Sequence, residues 1–427
     1  MNRIISSVTG ETLYHKKHEC GLDIYIMPRK DYSAGYAIFG TKYGSVDSEF
    51  VVPGESEITK VPDGIAHYLE HKMFDQPDGS NVFDKFSELG ANANAFTSFN
   101  TTAYLFSAAD NMEENLSILL DYVQSPYFTE ESVRKEQGII GQEIKMYDDS
   151  GTWRVFFNLL GALYHNHPVK KDIAGTVESI SHITADLLYK CYNTFYNLSN
   201  MMIFVTGDVD PSAIEKRIDD GIKNNAPFDE EIKKLYPEEP DTISKKIVEQ
   251  SLSVAIPLFM IGFKDTDTGY SGDRLLKKYI EVSILNKMLF SKGTKLYREL
   301  SDNGLINDNF SFDYTLQPDY AHVTVDGESS DPKAVFEKIL AYLAEKRGSG
   351  LCREEYERAK KVIWGDYIRS YNDVEEFSHS FLNMYMAGAV YTNFEKLYDE
   401  ITFEAIEKRF LKLFDENRAA LSVVNPL

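Results

Sequence analysis

Hydrophobic and polar positions alternate along the first third of the chain in two different periods. Leu22 to Pro28 and Tyr36 to Tyr43 have the short apolar runs of strands, as does Tyr104 to Ala108, whereas Met112 to Gln124 places Leu116, Leu119, Leu120 and Val123 at helical spacing. Asp63-Gly64 after Pro62 marks a helix start and Pro77-Asp78-Gly79 a stop, which predicts a helix over Ile65 to Phe74. A second helix starts near Thr129. In it Val133, Glu136, Ile140, Glu143, Ile144 and Tyr147 fall in one stripe about 100° wide at 3.6 residues per turn. Met201 to Gly207 is a late strand. Beyond 208–222 the chain turns polar and proline-punctuated, with Pro227, Pro237 and Pro240 among acidic runs, so a linker is expected at about 224–246. The mixture is α+β rather than regular βαβ winding.

Comparing the chain with itself extends this picture. Glu130 to Ile144 (EESVRKEQGIIGQEI) aligns without gaps on Glu354 to Ile368 (EEYERAKKVIWGDYI), sharing the leading glutamates, Arg134 and Arg358, Ile139 and Ile363, Gly141 and Gly365. His67 to Phe74 (HYLEHKMF) aligns on Val282 to Leu289 (VSILNKML). Both matches occur in the same order on either side of the linker, as an internal repeat requires. Two structurally homologous domains are therefore expected, 1–225 and 245–427, each a mixed or antiparallel sheet packed with helices.

Composition narrows the functional classes. Of 427 residues, 43% are hydrophobic and 13% aromatic, so the chain can bury a substantial core without staples. Lys+Arg of 45 against Asp+Glu of 67 gives a net charge of −22, a field that repels phosphate backbones and disfavours nucleic acid. Cys20, Cys191 and Cys352 are odd in number and widely spaced, which suits a reducing compartment and excludes a cysteine-rich zinc site. The N-terminus has no apolar signal core, and stretches such as Val254 to Phe263 are too short to span a bilayer. A cytoplasmic protein with no membrane partner is expected.

The chemistry concentrates on the two helices named above. His67 and His71 are four residues apart, one turn above each other, so their imidazoles can converge on one tetrahedral ion. Glu70 stands beside His71, close enough to handle a water without ligating; this H-x-x-E-H order is the inverted zincin motif. A third protein ligand should be a carboxylate, and the helix near Thr129 offers two on its apolar stripe, Glu136 and Glu143. Charge on an inward face is costly unless paired or bound to metal, so the placement asks for a cation. In the repeat, His67, Glu70 and His71 align with Val282, Leu285 and Asn286, and Glu136 and Glu143 with Lys360 and Tyr367. The second domain has kept the scaffold and lost every metal-competent residue.

HYLEHKMF, ANANAFTS at Ala91 to Ser98, the KEQGIIGQE helix and HPVKKDIAGTVESI from His167 together resemble the pitrilysin and insulysin family of zinc peptidases, which includes the mitochondrial processing peptidases. The resemblance covers both halves of the chain. It implies one zinc per chain held by His67, His71 and Glu143, with Glu70 as general base and Glu136 as supporting carboxylate. It implies that Asn94, Ala95 and Phe96 form an edge strand that binds an extended peptide by main-chain hydrogen bonds. It also implies a zinc-dependent endopeptidase for unstructured peptides, the alternative being a non-catalytic peptide-binding or assembly subunit on the same scaffold. One stretch departs from the family: Glu299-Leu300-Ser301 to Asn307 has Ser301 where an Arg is expected and Asn307 near the Tyr position. A homo- or heterodimer is therefore expected, in which a related chain supplies that pair. Of the other histidines, His165 and His167 are expected in a loop packed on Pro168, His15 and His18 in solvent, and His322 and His379 away from any metal.

Overall fold

A computed structural model describes residues 1–223 and 226–427; Asn224 and Asn225, where the expected linker begins, lie outside the described residues. The chain divides into two compact units. The first comprises Met1–Ile144, Asp172–Tyr236 and Ser370–Met386, the second Lys145–Lys171, Pro237–Arg369 and Ala387–Leu427. Among the described residues no helix is long and apolar enough to cross a membrane.

The strands of the first unit are β1 (Asn2–Ile5), β2 (Thr12–Lys17), β3 (Asp23–Pro28), β4 (Gly35–Thr41), β5 (Glu49–Val51), β6 (Ile58–Lys60), β7 (Ala91–Thr97), β8 (Thr102–Ala108), β9 (Met201–Gly207) and β10 (Lys233–Lys234). Seven of them form a sheet in the order β1-β2-β3-β9-β4-β8-β7, and β10, β5 and β6 form a small second sheet. β3 and β9 run parallel, and β9-β4, β4-β8 and β8-β7 are antiparallel. β4 and β9 are buried along their whole length, as expected of central strands that are unbroken apolar runs. β7 is an edge strand in which Asn92 and Asn94 are exposed and the other residues half-buried. The helices that matter for the site are α1 (Ile65–Lys72), α2 (Val82–Glu88), α3 (Met112–Val123) and α4 (Glu130–Asp148).

The second unit contains β11 (Ile247–Leu252), β12 (Leu258–Asp265), β13 (Ser311–Leu316), β14 (Ala321–Glu328) and β15 (Ala419–Pro426), in the order β11-β15-β12-β14-β13. β11 and β15 are parallel and the other pairs antiparallel. Strand for strand this repeats β3-β9-β4-β8-β7 of the first unit, in order and in polarity. Both bodies are α+β, as the repeat in the sequence leads one to expect.

The helices show one feature that periodicity does not reveal. Gly151–Leu163 follows α4 in the chain but packs on β12 and β15, within the second unit. Val374–Met386 follows the counterpart of α4, Arg353–Ser370, but packs on β4 and β9, within the first. Each sheet accepts its helix over a glycine. A Cβ on Gly40 of β4 would lie 2.7 Å from Leu382 Cδ1, and one on Gly262 of β12 would lie 2.7 Å from Leu163 Cδ1. A side chain at either position would push the helix off the sheet.

Candidate metal centre

α1 begins abruptly. Gly64 caps it in the left-handed region at φ 91°, and a Cβ there would fall 2.4 Å from the Ala174 carbonyl oxygen, so only glycine fits. The helix is buried almost all round: Ile65, Ala66, Tyr68 and Leu69 are core residues, and His67 and Glu70 are each only 8% exposed. α4 starts at Thr129, whose hydroxyl accepts from the Ser132 amide, and buries Val133, Ile140 and Ile144. Glu136 and Glu143 lie half-buried on that same face, as the stripe predicts. The Tyr68 hydroxyl donates to the Val133 carbonyl and ties the two helices together.

The structure brings His67, His71 and Glu143 to one point. A ligand atom from each lies within 4.8 Å of the others. His67 Nε2 is 3.6 Å from Glu143 Oε1, and His71 Nε2 is 3.4 Å from Glu143 Oε2. Ligand atoms bound at about 2.0–2.2 Å to one tetrahedral ion lie roughly 3.3–3.6 Å apart, so these separations fit zinc. His71 Nδ1 is 3.0 Å from Glu136 Oε1. The carboxylate can only accept, which puts the ring proton on Nδ1 and leaves the Nε2 lone pair facing Glu143. A lone pair facing a carboxylate is a place for a cation.

The electrostatics agree. Burial disfavours the charged form of His71, but the hydrogen bond to Glu136 and the nearby charges of Glu70, Glu143 and Glu136 outweigh it and raise its pKa. Burial opposes ionisation of Glu136 too, but His71 overrides this and lowers its pKa. Glu70 differs: burial prevails over its neighbours and raises its pKa, moving the carboxylate toward the strength a base needs near neutral pH. Glu70 Oε2 accepts a 2.8 Å hydrogen bond from the Thr97 hydroxyl.

Thr97 is the last residue of β7, so the strand with Asn94, Ala95 and Phe96 ends against the carboxylate of Glu70. The Ala95 amide donates to the side chain of Asn94, 2.9 Å away. Phe96 stacks on His379, ring centroids 5.3 Å apart, and His379 Nε2 is 2.9 Å from the Tyr36 hydroxyl. Neither Thr97 nor His379 stood out in the sequence. The signal for Thr97 was there: strand alternation puts residue 97 on the face opposite Phe96.

Comparison with known proteins explains this arrangement. Residues 54–177 match the family described as Insulinase (Peptidase family M16), and residues 182–363 match the Peptidase M16 inactive domain. A Bacillus subtilis protein named "Uncharacterized zinc protease YmfH" is 41% identical over 418 residues, 97% of either chain. The chain belongs to the M16 peptidase family. An M16-like peptidase from Alicyclobacillus acidocaldarius superposes with a TM-score of 0.94 at 35% identity, over 99% of this chain and 100% of that one. Pitrilysin shares the fold, with a TM-score of 0.76 at 13% identity over 99% of this chain but 46% of its own. This chain thus corresponds in fold to about half of that larger M16 member.

The remaining candidate residues lie outside this M16 centre. Ser301 is exposed at the end of the helix Lys295–Asp302, and Asn307 donates to Glu328, 2.6 Å away. His167 is buried with Nε2 3.0 Å from Asp319, a structural pairing. His322 is fully buried with Nδ1 3.0 Å from the Tyr164 hydroxyl, and burial pushes its pKa down to about 3. His15 and His18 correct the expectation of solvated rings. His15 stacks on Tyr25 and meets Asp23 at 2.8 Å, and His18 Nδ1 is 3.0 Å from Cys20 Sγ. The flanking lysines suggested open surface, but both rings are half-buried.

Proposed function

We propose that this chain is a zinc-dependent endopeptidase that hydrolyses unstructured peptides in the cytoplasm, with one zinc per chain held by His67, His71 and Glu143. The observation that carries this reading is the convergence of two imidazole nitrogens and a carboxylate at tetrahedral spacing, with Glu70 on the same turn as His71. A zinc ion bound there would acidify a water to a pKa of about 7 and act as a Lewis acid toward a carbonyl. Glu70 accepts the proton of the attacking water and returns it to the leaving amine. Glu136 fixes the tautomer of His71 through Nδ1. The β7 edge, with Asn94, Ala95 and Phe96, receives an extended peptide backbone. The Ala95 amide, which donates to its neighbour's side chain, can exchange that partner for a substrate carbonyl.

Two sets of measurements test this. Purified protein should hold about one zinc per chain and cleave a mixed peptide pool. Glu70→Gln should keep the zinc and lower kcat by about a thousandfold or more; full turnover in that variant rules out Glu70 as base. Ser301 and Asn307 motivate a second element of the reading, a dimer in which a related chain supplies an Arg and a Tyr to the substrate carbonyl. Activity should then rise when such a chain is added. Should zinc be present and turnover absent even in that mixture, the chain is instead a non-catalytic peptide-binding or assembly subunit.

A further inference from the structure

We infer that Thr97 is a positioning residue for the general base: its hydroxyl fixes one oxygen of the Glu70 carboxylate and so reserves the other for the attacking water. The inference rests on the endopeptidase reading and follows from the possible donors. Thr97 Oγ1 has two neighbours, Glu70 Oε2 at 2.8 Å and Thr102 Oγ1 at 3.4 Å. Thr102 spends its own hydroxyl proton on the Tyr43 carbonyl, 3.0 Å away, so it has none to donate to Thr97. The Thr97 proton therefore goes to the nearer and charged acceptor, which makes the stronger bond. Glu70 Oε1 makes no hydrogen bond within the described residues and is the oxygen left for a water.

Backbone geometry makes this bond firm. Thr97 pairs with Thr102 across β7 and β8, and Thr102 is fully buried, so the hydroxyl stands on a fixed strand rather than a loop. Its β-branched side chain has few rotamers to choose from. The same strand carries the proposed peptide-binding residues. One element thus orients both the substrate backbone and the base that acts on it.

Thr97→Val removes the hydroxyl and keeps the shape. With zinc content unchanged, kcat should fall about tenfold or more, while KM stays within about twofold. Thr97→Ser restores a hydroxyl and should recover most of that loss. A second readout needs no turnover. In the metal-free protein, thermal unfolding of Thr97→Val, Glu70→Ala and the double variant should be non-additive, because both single changes break the same bond. Wild-type kcat in Thr97→Val, a Thr97→Ser as slow as the valine, or additive melting shifts would each overturn the inference and leave the endopeptidase reading standing. A zinc-loaded wild type that cleaves no peptide, alone or with a partner chain, overturns that reading and this inference with it. If Thr97→Val does not fold, Thr97→Ala carries the same measurements.

Discussion

The two units build the same five-strand arrangement and place equivalent helices against it, yet treat the same positions in opposite ways. Where the first has His67, Glu70 and His71, the second has Val282, Leu285 and Asn286, all buried. Where the first has Glu143, the second has Tyr367, lying flat on Phe394 with centroids 4.2 Å apart and planes 5° from parallel. Where the first has Glu136, the second has Lys360, whose Nζ donates to the Ile401 carbonyl at 2.8 Å and lies 4.8 Å over the Tyr398 ring. The second unit shows that the scaffold folds without any of these metal-competent residues. The polar cluster of the first is therefore not there for stability. It buries carboxylates and imidazoles that cost several kcal/mol without a cation, and a metal ion held there would offset that cost.

Removing one ligand should break this contrast most. Glu143→Gln should lower zinc content from about one per chain to near zero and kcat/KM by about a thousandfold or more, read by metal analysis and peptide cleavage. The metal-free protein should melt no lower than wild type, since a carboxylate in need of a cation is gone. Retained zinc would move the third ligand to Glu136.

The counterpart in the second unit should behave in reverse. Tyr367→Ala removes a buried ring and should cost about 3–5 kcal/mol in denaturant unfolding. Zinc content and kcat per folded molecule should not change. A large loss of kcat at full zinc occupancy would mean that this position has kept a part in the chemistry.

Acid tests each unit through a different carboxylate. In the first, burial opposes ionisation of Asp23, but hydrogen bonds from His15, Tyr385 and Lys17 prevail and hold its pKa at about 2. In the second, Lys264 and the amides of His165, Asn166 and His167 do the same for Glu239, also to about 2. Both values lie below those of the unfolded chain, so the stabilisation is complete above pH about 4–5 and is lost as pH falls toward 2. Asp23→Asn should remove about 2 kcal/mol of that acid dependence, measured as a flatter melting temperature between pH 6 and 2. An unchanged acid limb would show that the Asp23 cluster is not coupled to folding.

Much of this contrast was legible before any coordinates. Glu136 and Glu143 on an apolar stripe, two histidines one turn apart and the ungapped repeat are local patterns, and local geometry carries them unaltered into the structure. The long apolar runs gave β4 and β9 for the same reason. What stayed hidden depends on partners distant in sequence. An amphipathic helix announces that one face is buried, not which sheet buries it, so nothing in Gly151–Leu163 or Val374–Met386 told which unit each would join. Gly40 and Gly262 look like ordinary strand glycines until the helices above them are seen. The half-buried ring of His15 was hidden likewise, because its neighbours Asp23 and Tyr25 are adjacent only through strand pairing.

The smallest effect is expected where the second unit has kept a trace of polarity. Asn286 aligns with His71, is 2% exposed, and its Oδ1 has no hydrogen-bond partner among the described residues. A buried unpaired carbonyl oxygen is a liability, and replacing it by an apolar group of similar volume is commonly neutral or favourable. Asn286→Leu should therefore change unfolding stability by no more than about 1 kcal/mol, toward stabilisation, with zinc content and kcat unaltered. The matching change in the first unit, His71→Leu, should abolish zinc binding. If Asn286→Leu instead destabilises by about 3 kcal/mol or more, Oδ1 has a partner in solution. The second unit would then retain a polar function at the position that aligns with the proposed ligand His71, and the division of labour between the two bodies would be less complete than their side chains indicate.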